Sequence, residues 1–139
     1  MSKICAIADL GTNTFQLLIS PLNEFRIEEH LQRPVGLGMG AMEKVTLQED
    51  AIDRAMACLA EFKQVFLAKG GDINNFYAIG TSIIRRASNA ESFINRVNRD
   101  LGIHIQVIDG IQEAEYIYAG IRNSLPKRWE KTSLVKIGR

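Results

Sequence analysis

Apolar positions along this chain come in two rhythms. Lys3 to Ala8 and Phe15 to Ser20 are short, nearly continuous apolar runs, as in strands; the first predicts a strand buried on both faces. Pro21 ends the second run. Phe25, Ile27 and Leu31, with charges between them, predict a third strand, so the chain opens as an antiparallel meander. Gln32 to Lys44, with Gly36, Gly38 and Gly40, reads as a loop, either a flexible connector or a mobile flap beside a site. The rhythm then turns helical. Ile52, Ala55, Met56, Leu59, Phe62, Val65 and Phe66 recur at three- and four-residue steps, with Thr46 and Glu49 fitting a capping box and Gly70-Gly71 a stop. Phe76 to Ile79 predicts a strand. Ser88 and Glu91 fit a second capping box, before a helix that carries Phe93, Ile94, Val97 and Leu101 and stops at Gly102. A strand follows over Ile103 to Ile108. Asp109 is the expected N-cap of a third helix, with Ile111, Ala114, Ile117, Tyr118 and Ile121 on one face and Pro126 at its end. After a short basic linker, Lys127 to Lys131, Ser133 to Ile137 predicts a final strand. The order β-β-β-α-β-α-β-α-β points to an α/β fold with a mixed sheet.

Composition narrows the classes. The chain has 139 residues, 46% hydrophobic and 24% charged, which suits one soluble globular domain with a sizeable core. Net charge is +1, so no general basic field advertises nucleic acid or an anionic membrane, and any anion must be held locally. Cys5 and Cys58 sit among apolar neighbours and read as free, buried thiols of a cytoplasmic protein, without disulfide or zinc spacing. His30 and His104 are isolated and read as surface or strand-edge residues. No apolar run reaches membrane-spanning length, and the first residues lack the pattern of a signal peptide.

Candidate chemistry gathers at strand ends, where open α/β sheets collect ligands. The first strand ends on a lone carboxylate, Asp9, followed by the polar turn Gly11-Thr12-Asn13-Thr14. Gly11 and Asn13 tolerate positive φ, and such a turn offers N–H groups and hydroxyls to a phosphate, with Asp9 placed for a metal or its water. On these residues alone an ordinary hairpin is slightly favoured. Arg85 and Arg86 follow the Phe76 strand; arginine clamps phosphate oxygens well, although such pairs are usually solvated surface charges. Glu113 lies in the first turn of the third helix, where a carboxylate is either a partner for the helix dipole or a base for an attacking water.

Three segments in register resemble one family: Ile7 to Thr14, Gly80 to Arg85, and Val107 to Ala114. Over about Ile4 to Leu125 the chain is similar to the exopolyphosphatase/guanosine pentaphosphate phosphatase family. The resemblance implies a ribonuclease H-like, actin-like fold of two lobes with the active cleft between them. It implies that residues 1–139 form a single N-terminal lobe, with the family's second lobe absent. It assigns Gly11, Thr12, Asn13 and Thr14 to the first phosphate loop, Arg85 to polyphosphate contact, Glu113 to activation of the hydrolytic water, and Asp9 to magnesium. Gly36-Leu37-Gly38 stands where the family usually reads R-L-G, and Glu115 where many members have arginine, so two positive charges are lost. Lys136 stands where the family's second loop, D-I-G-G-G-S, carries an aspartate.

The resemblance therefore implies an enzyme by family, a magnesium-dependent hydrolase of polyphosphate or of guanosine pentaphosphate, expected to be weak or inactive as this chain alone. It implies no nucleic-acid or membrane partner, and a homodimer is open to the full-length protein. Two alternatives stand beside it: a non-catalytic polyphosphate- or alarmone-binding module, which Lys136 favours, and a lobe of an ATP-dependent sugar or acetate kinase, which has no reason to carry Gln112-Glu113-Ala114.

Overall fold

The computed structural model describes residues 3–24, 26–40, 45–80 and 82–108. The expected helix from Asp109, the basic linker and the strand over Ser133 to Ile137 lie outside these residues. Strands β1 (Ile4–Leu10), β2 (Thr14–Pro21) and β3 (Glu29–Pro34) come first, then helix α1 (Glu49–Ala68), β4 (Phe76–Gly80), the short helix α2 (Ser82–Arg86), α3 (Ala90–Leu101) and β5 (Ile105–Val107).

Among the described residues the strands form one sheet in the order β3-β2-β1-β4-β5. β1 pairs antiparallel with β2, and β2 with β3, so the meander is present. β4 joins β1 in parallel, with Leu10 opposite Gly80, and β5 joins β4 in parallel, with Val107 opposite Gly80. The carboxyl ends of β1, β4 and β5 are thereby level. This is the feature of the fold that positions the site, because each of the three sequence motifs begins at one of these ends.

Ala6, Ala8 and Leu10 of β1 and Phe15, Leu17 and Ile19 of β2 share one buried cluster with Leu59, Phe62 and Phe66 of α1 and Phe93 and Val97 of α3. Each such aromatic or branched side chain contributes roughly 1.5–3 kcal/mol by leaving water. Phe66 meets Phe76 edge-on with ring centroids 5.7 Å apart, which seats the end of α1 on the start of β4. Ile7, Ile79 and Ile108 form a separate small cluster on the reverse face. β1 accordingly alternates between buried and half-buried residues, not buried on both faces as its continuous apolar run predicts. Cys5 belongs to the half-buried set, whereas Cys58 is buried.

Several local expectations are corrected by tertiary partners. Strand three begins at Glu29, not Phe25. The Ser20 hydroxyl accepts the Arg26 N–H at 3.1 Å and lies 3.2 Å from the Glu24 carbonyl oxygen, which ties Glu24 and Arg26 back to β2. Neither capping box forms. Gln48 is the N-cap of α1 and Asn89 that of α3, each without a side-chain cap bond. Thr46 Oγ1 instead meets Ser88 Oγ at 2.8 Å, and the Ser88 N–H donates to the Val45 carbonyl at 2.7 Å. The hydroxyls expected to cap two helices join the two helix starts to each other. α2 was not foreseen; its five residues bury Ile83 and Ile84. The helix stops hold: α1 ends at Ala68 before Gly70 at φ 92°, and Gly102 closes α3 in the left-handed region.

Candidate functional site

The turn between β1 and β2 is closed by the Gly11 N–H donating to the Thr14 carbonyl at 3.1 Å. Gly11 is needed for space and not for dihedral freedom. Its φ is not positive, nor is that of Asn13, but a Cβ at position 11 would stand 2.8 Å from the Thr14 carbonyl oxygen. The stretch after β3 packs against this turn. The Val35 and Gly36 N–H groups both donate to the Asn13 carbonyl, at 3.0 and 2.9 Å, and the Gly38 N–H donates to the Thr12 carbonyl at 3.0 Å. Arg54 of α1 secures the same stretch, donating from Nε to the Val35 carbonyl at 2.6 Å and from Nη2 to the Gly36 carbonyl at 3.1 Å. From Val35 to Gly40 this segment is thus a tied second layer, where the glycines predicted a flexible connector or a mobile flap.

That layer polarises the turn. The carbonyls of Thr12 and Asn13 are occupied from behind, while their N–H groups have no acceptor among the described residues. Backbone donors left free on one side of a turn form a concavity suited to an anion.

Arg85 and Arg86 are separated by the structure. Arg85 Nη1 donates to the Ile108 carbonyl at 3.1 Å, which directs it to the end of β5; the Ile108 N–H in turn donates to the Gly80 carbonyl at 3.0 Å. Arg86 folds back along its own helix, Nε to Ser82 Oγ at 3.1 Å. Arg85 is thereby held beside the strand end that leads toward Asp109, while Arg86 is bonded within its own helix; both residues are exposed.

Asp9 is the penultimate residue of β1. Its register partners are Gln16 on β2 and Ile79 on β4, so it lies on the reverse face, beside the Ile7, Ile79 and Ile108 cluster. Burial raises its carboxyl from 3.8 to about 6. Among the described residues its carboxylate makes no hydrogen bond, and no three His, Cys, Asp or Glu side chains gather as a metal cage. Glu113 lies outside the described residues. Two hollows among those residues lie away from the Gly11 to Thr14 turn: one of about 430 Å³, lined by Asn74, Tyr77, His104 and Gln106, and a shallower one of about 560 Å³ beside Ser88 and Arg96.

Sequence reasoning missed the carbonyl anchoring of Arg85, the backing layer under the turn, and Arg54. The only advance signal for the backing layer was the glycine spacing at 36, 38 and 40.

A mixed sheet with an antiparallel meander, continued by parallel strands whose ends are level, defines a lobe of the actin-like ATPase fold. Comparison with solved structures supports that class. A member of the Ppx/GppA protein family from Aquifex aeolicus superposes with a TM-score of 0.80 at 31% sequence identity, over 90% of this chain and 41% of that one. An exopolyphosphatase from Cytophaga hutchinsonii superposes with a TM-score of 0.76 at 33% identity, over 89% of this chain and 40% of that one. The model of the Ppx/GppA phosphatase family matches residues 21–138, and the chain belongs to that family. Among curated relatives, it is 32% identical over 126 residues to a guanosine-5'-triphosphate,3'-diphosphate pyrophosphatase of Aliivibrio fischeri, covering 89% of this chain and 25% of that protein. It is 31% identical over 131 residues to a putative exopolyphosphatase of Haemophilus influenzae, covering 93% of this chain and 40% of that protein. The chain thus spans between a quarter and two-fifths of the length of these curated relatives. No helix among the described residues is long and apolar enough to cross a membrane.

Proposed function

We propose that this chain supplies the phosphate-gripping half of a phosphoanhydride hydrolase cleft, acting on the terminal phosphate of inorganic polyphosphate or guanosine pentaphosphate. One observation carries the reading: the Thr12 and Asn13 carbonyls are tied back while their N–H groups have no acceptor among the described residues, at a strand end level with the one that Arg85 reaches. The names of the relatives support the substrate class.

In this reading the Gly11 to Thr14 turn and Arg85 bind the terminal phosphoryl oxygens and stabilise the charge that spreads over them during transfer. Glu113 accepts the proton of a water attacking in line, and the shortened phosphate chain leaves. Asp9 is the residue that would hold magnesium. A half-buried carboxylate that makes no hydrogen bond among the described residues suits an ion that takes most of its ligands from phosphate oxygens and water. When bound, the ion neutralises phosphate charge. Lys136 in place of a second aspartate argues that the 139 residues by themselves turn over poorly. The protein is proposed to act in the cytoplasm, without nucleic acid or membrane, and to pair as a homodimer in its full-length form.

The test measures binding and phosphate release side by side, with the purified chain, magnesium and polyphosphate of defined length. Micromolar binding with little release is the expected result. Failure to bind overturns the reading, and rapid magnesium-dependent release would show that the active site has been misplaced. Binding that persists without any release when the chain is joined to a family second lobe would favour a non-catalytic binding module.

A further inference from the structure

We infer that Gly38 is a positioning residue for Thr12: having no side chain, it receives the Thr12 methyl and so sets the rotamer that aims the Thr12 hydroxyl. The use of that hydroxyl rests on the phosphate-turn reading above; the contact itself does not.

The backbone does not explain a glycine at this position. Positive φ among the described glycines occurs at Gly36, Gly40, Gly70 and Gly102, and not at Gly38. Space does explain it. A Cβ at position 38 would stand 2.5 Å from Thr12 Cγ2 and 3.5 Å from Ile83 Cδ1. Neither neighbour can retreat easily. The Thr12 carbonyl is held by Gly38 itself, and the Asn13 carbonyl by Val35 and Gly36. Ile83 is only 2% exposed and sits in the core of α2, two residues before Arg85.

The accommodation left to Thr12 is rotation about χ1. A β-branched side chain has few staggered wells, and moving to the next one swings its methyl and hydroxyl by about 120° together. The methyl now faces Gly38, and the hydroxyl has no hydrogen-bond partner among the described residues, so nothing else there dictates its direction. Gly38 therefore lies between the turn and the helix that carries Arg85, with room for no side chain beside Thr12.

The test uses polyphosphate of defined length, titrated calorimetrically into the purified chain, with amide NMR spectra and thermal melts of each variant. Gly38→Ala should lower affinity at least about tenfold, as a coupled contact of this kind can. Thr12→Ser keeps the hydroxyl but lacks Cγ2, and its own affinity, whatever its level, is the reference for the double variant. Adding Thr12→Ser to Gly38→Ala should restore affinity to that level, because the clashing methyl is gone. Unchanged affinity in Gly38→Ala overturns the inference, as does a folded double variant as weak as Gly38→Ala alone. If Gly38→Ala does not fold, the double variant must fold for the inference to stand. If the unchanged chain binds no polyphosphate, the functional reading fails, and the amide signals of Thr12 to Thr14 decide the inference. Displacement by Gly38→Ala and return in the double variant support it; any other pattern overturns it.

Discussion

The side chain of Asn89 closes on the backbone of Leu47, accepting its N–H at 2.9 Å and donating to its carbonyl at 3.0 Å. The two residues are 42 apart in sequence. The amide serves Leu47 as a neighbouring strand would, and it locks the entry to α1 against the entry to α3.

This pairing separates a clamp from a cap. At a helix N-cap, Asn and Asp are nearly equivalent. At this clamp Asn89→Asp would set a second oxygen against the Leu47 carbonyl and leave that acceptor without its donor. Asn89→Asp and Asn89→Ala should each lower stability by about 1–3 kcal/mol in urea denaturation, with little change in m. A neutral Asn89→Asp would mean that Asn89 acts only as a cap.

Arg85 and Arg86 should differ in anion binding. Arg85 is anchored at the end of β5, whereas Arg86 is bonded within its own helix. Arg85→Ala should weaken polyphosphate binding by about 1.5–3 kcal/mol, the scale of a charge-assisted hydrogen bond, and Arg86→Ala by much less. Equal losses, strongly relieved by salt, would point to a diffuse basic surface instead.

Asp9 should cost stability at neutral pH. Its carboxyl is raised by burial from 3.8 to about 6, so between those values the folded chain keeps a proton that the unfolded chain releases, and above them it holds a buried charge. Below about pH 4 both states are protonated and there is no penalty. The penalty grows as pH rises through about 6 and then stays constant, at up to about 3 kcal/mol. Asp9→Asn should therefore match the unchanged chain at low pH and exceed it in stability above pH 6, measured by denaturation across pH. The same variant should lose magnesium-dependent enhancement of polyphosphate binding. No stability gain at pH 7 would contradict the burial of the charge.

Glu113 should act on the chemical step. In a chain that carries the family's second lobe, Glu113→Gln should cut turnover at least ~100-fold, the usual scale for a lost general base, with substrate binding nearly unchanged. Near-normal turnover would make Glu113 a helix-dipole partner only.

The residue pattern alone determined strands β1 to β5, helices α1 and α3 with their core stripes, and the three motif-bearing strand ends, while the short α2 left no such mark. These depend on periodicity and on turn chemistry, which act over a few residues and are written locally. The family was legible for a related reason: three short motifs kept their order and spacing. Tertiary structure decided what the polar side chains do. Thr46 and Ser88 have the right chemistry for capping, but a hydroxyl takes whichever partner arrives, and packing α1 beside α3 brings each to the other. Asp9 reads as a strand-end carboxylate, yet burial raises its pKa, and its register partner on β4, Ile79, lies far along the chain. Gly38 looks like a hinge in sequence, whereas in the fold it is small because the Thr12 methyl, from the turn after β1, occupies the space a Cβ would need. Sheet register, not local pattern, made the ends of β1, β4 and β5 level, because parallel pairing is chosen by burial of a shared face that no single segment contains.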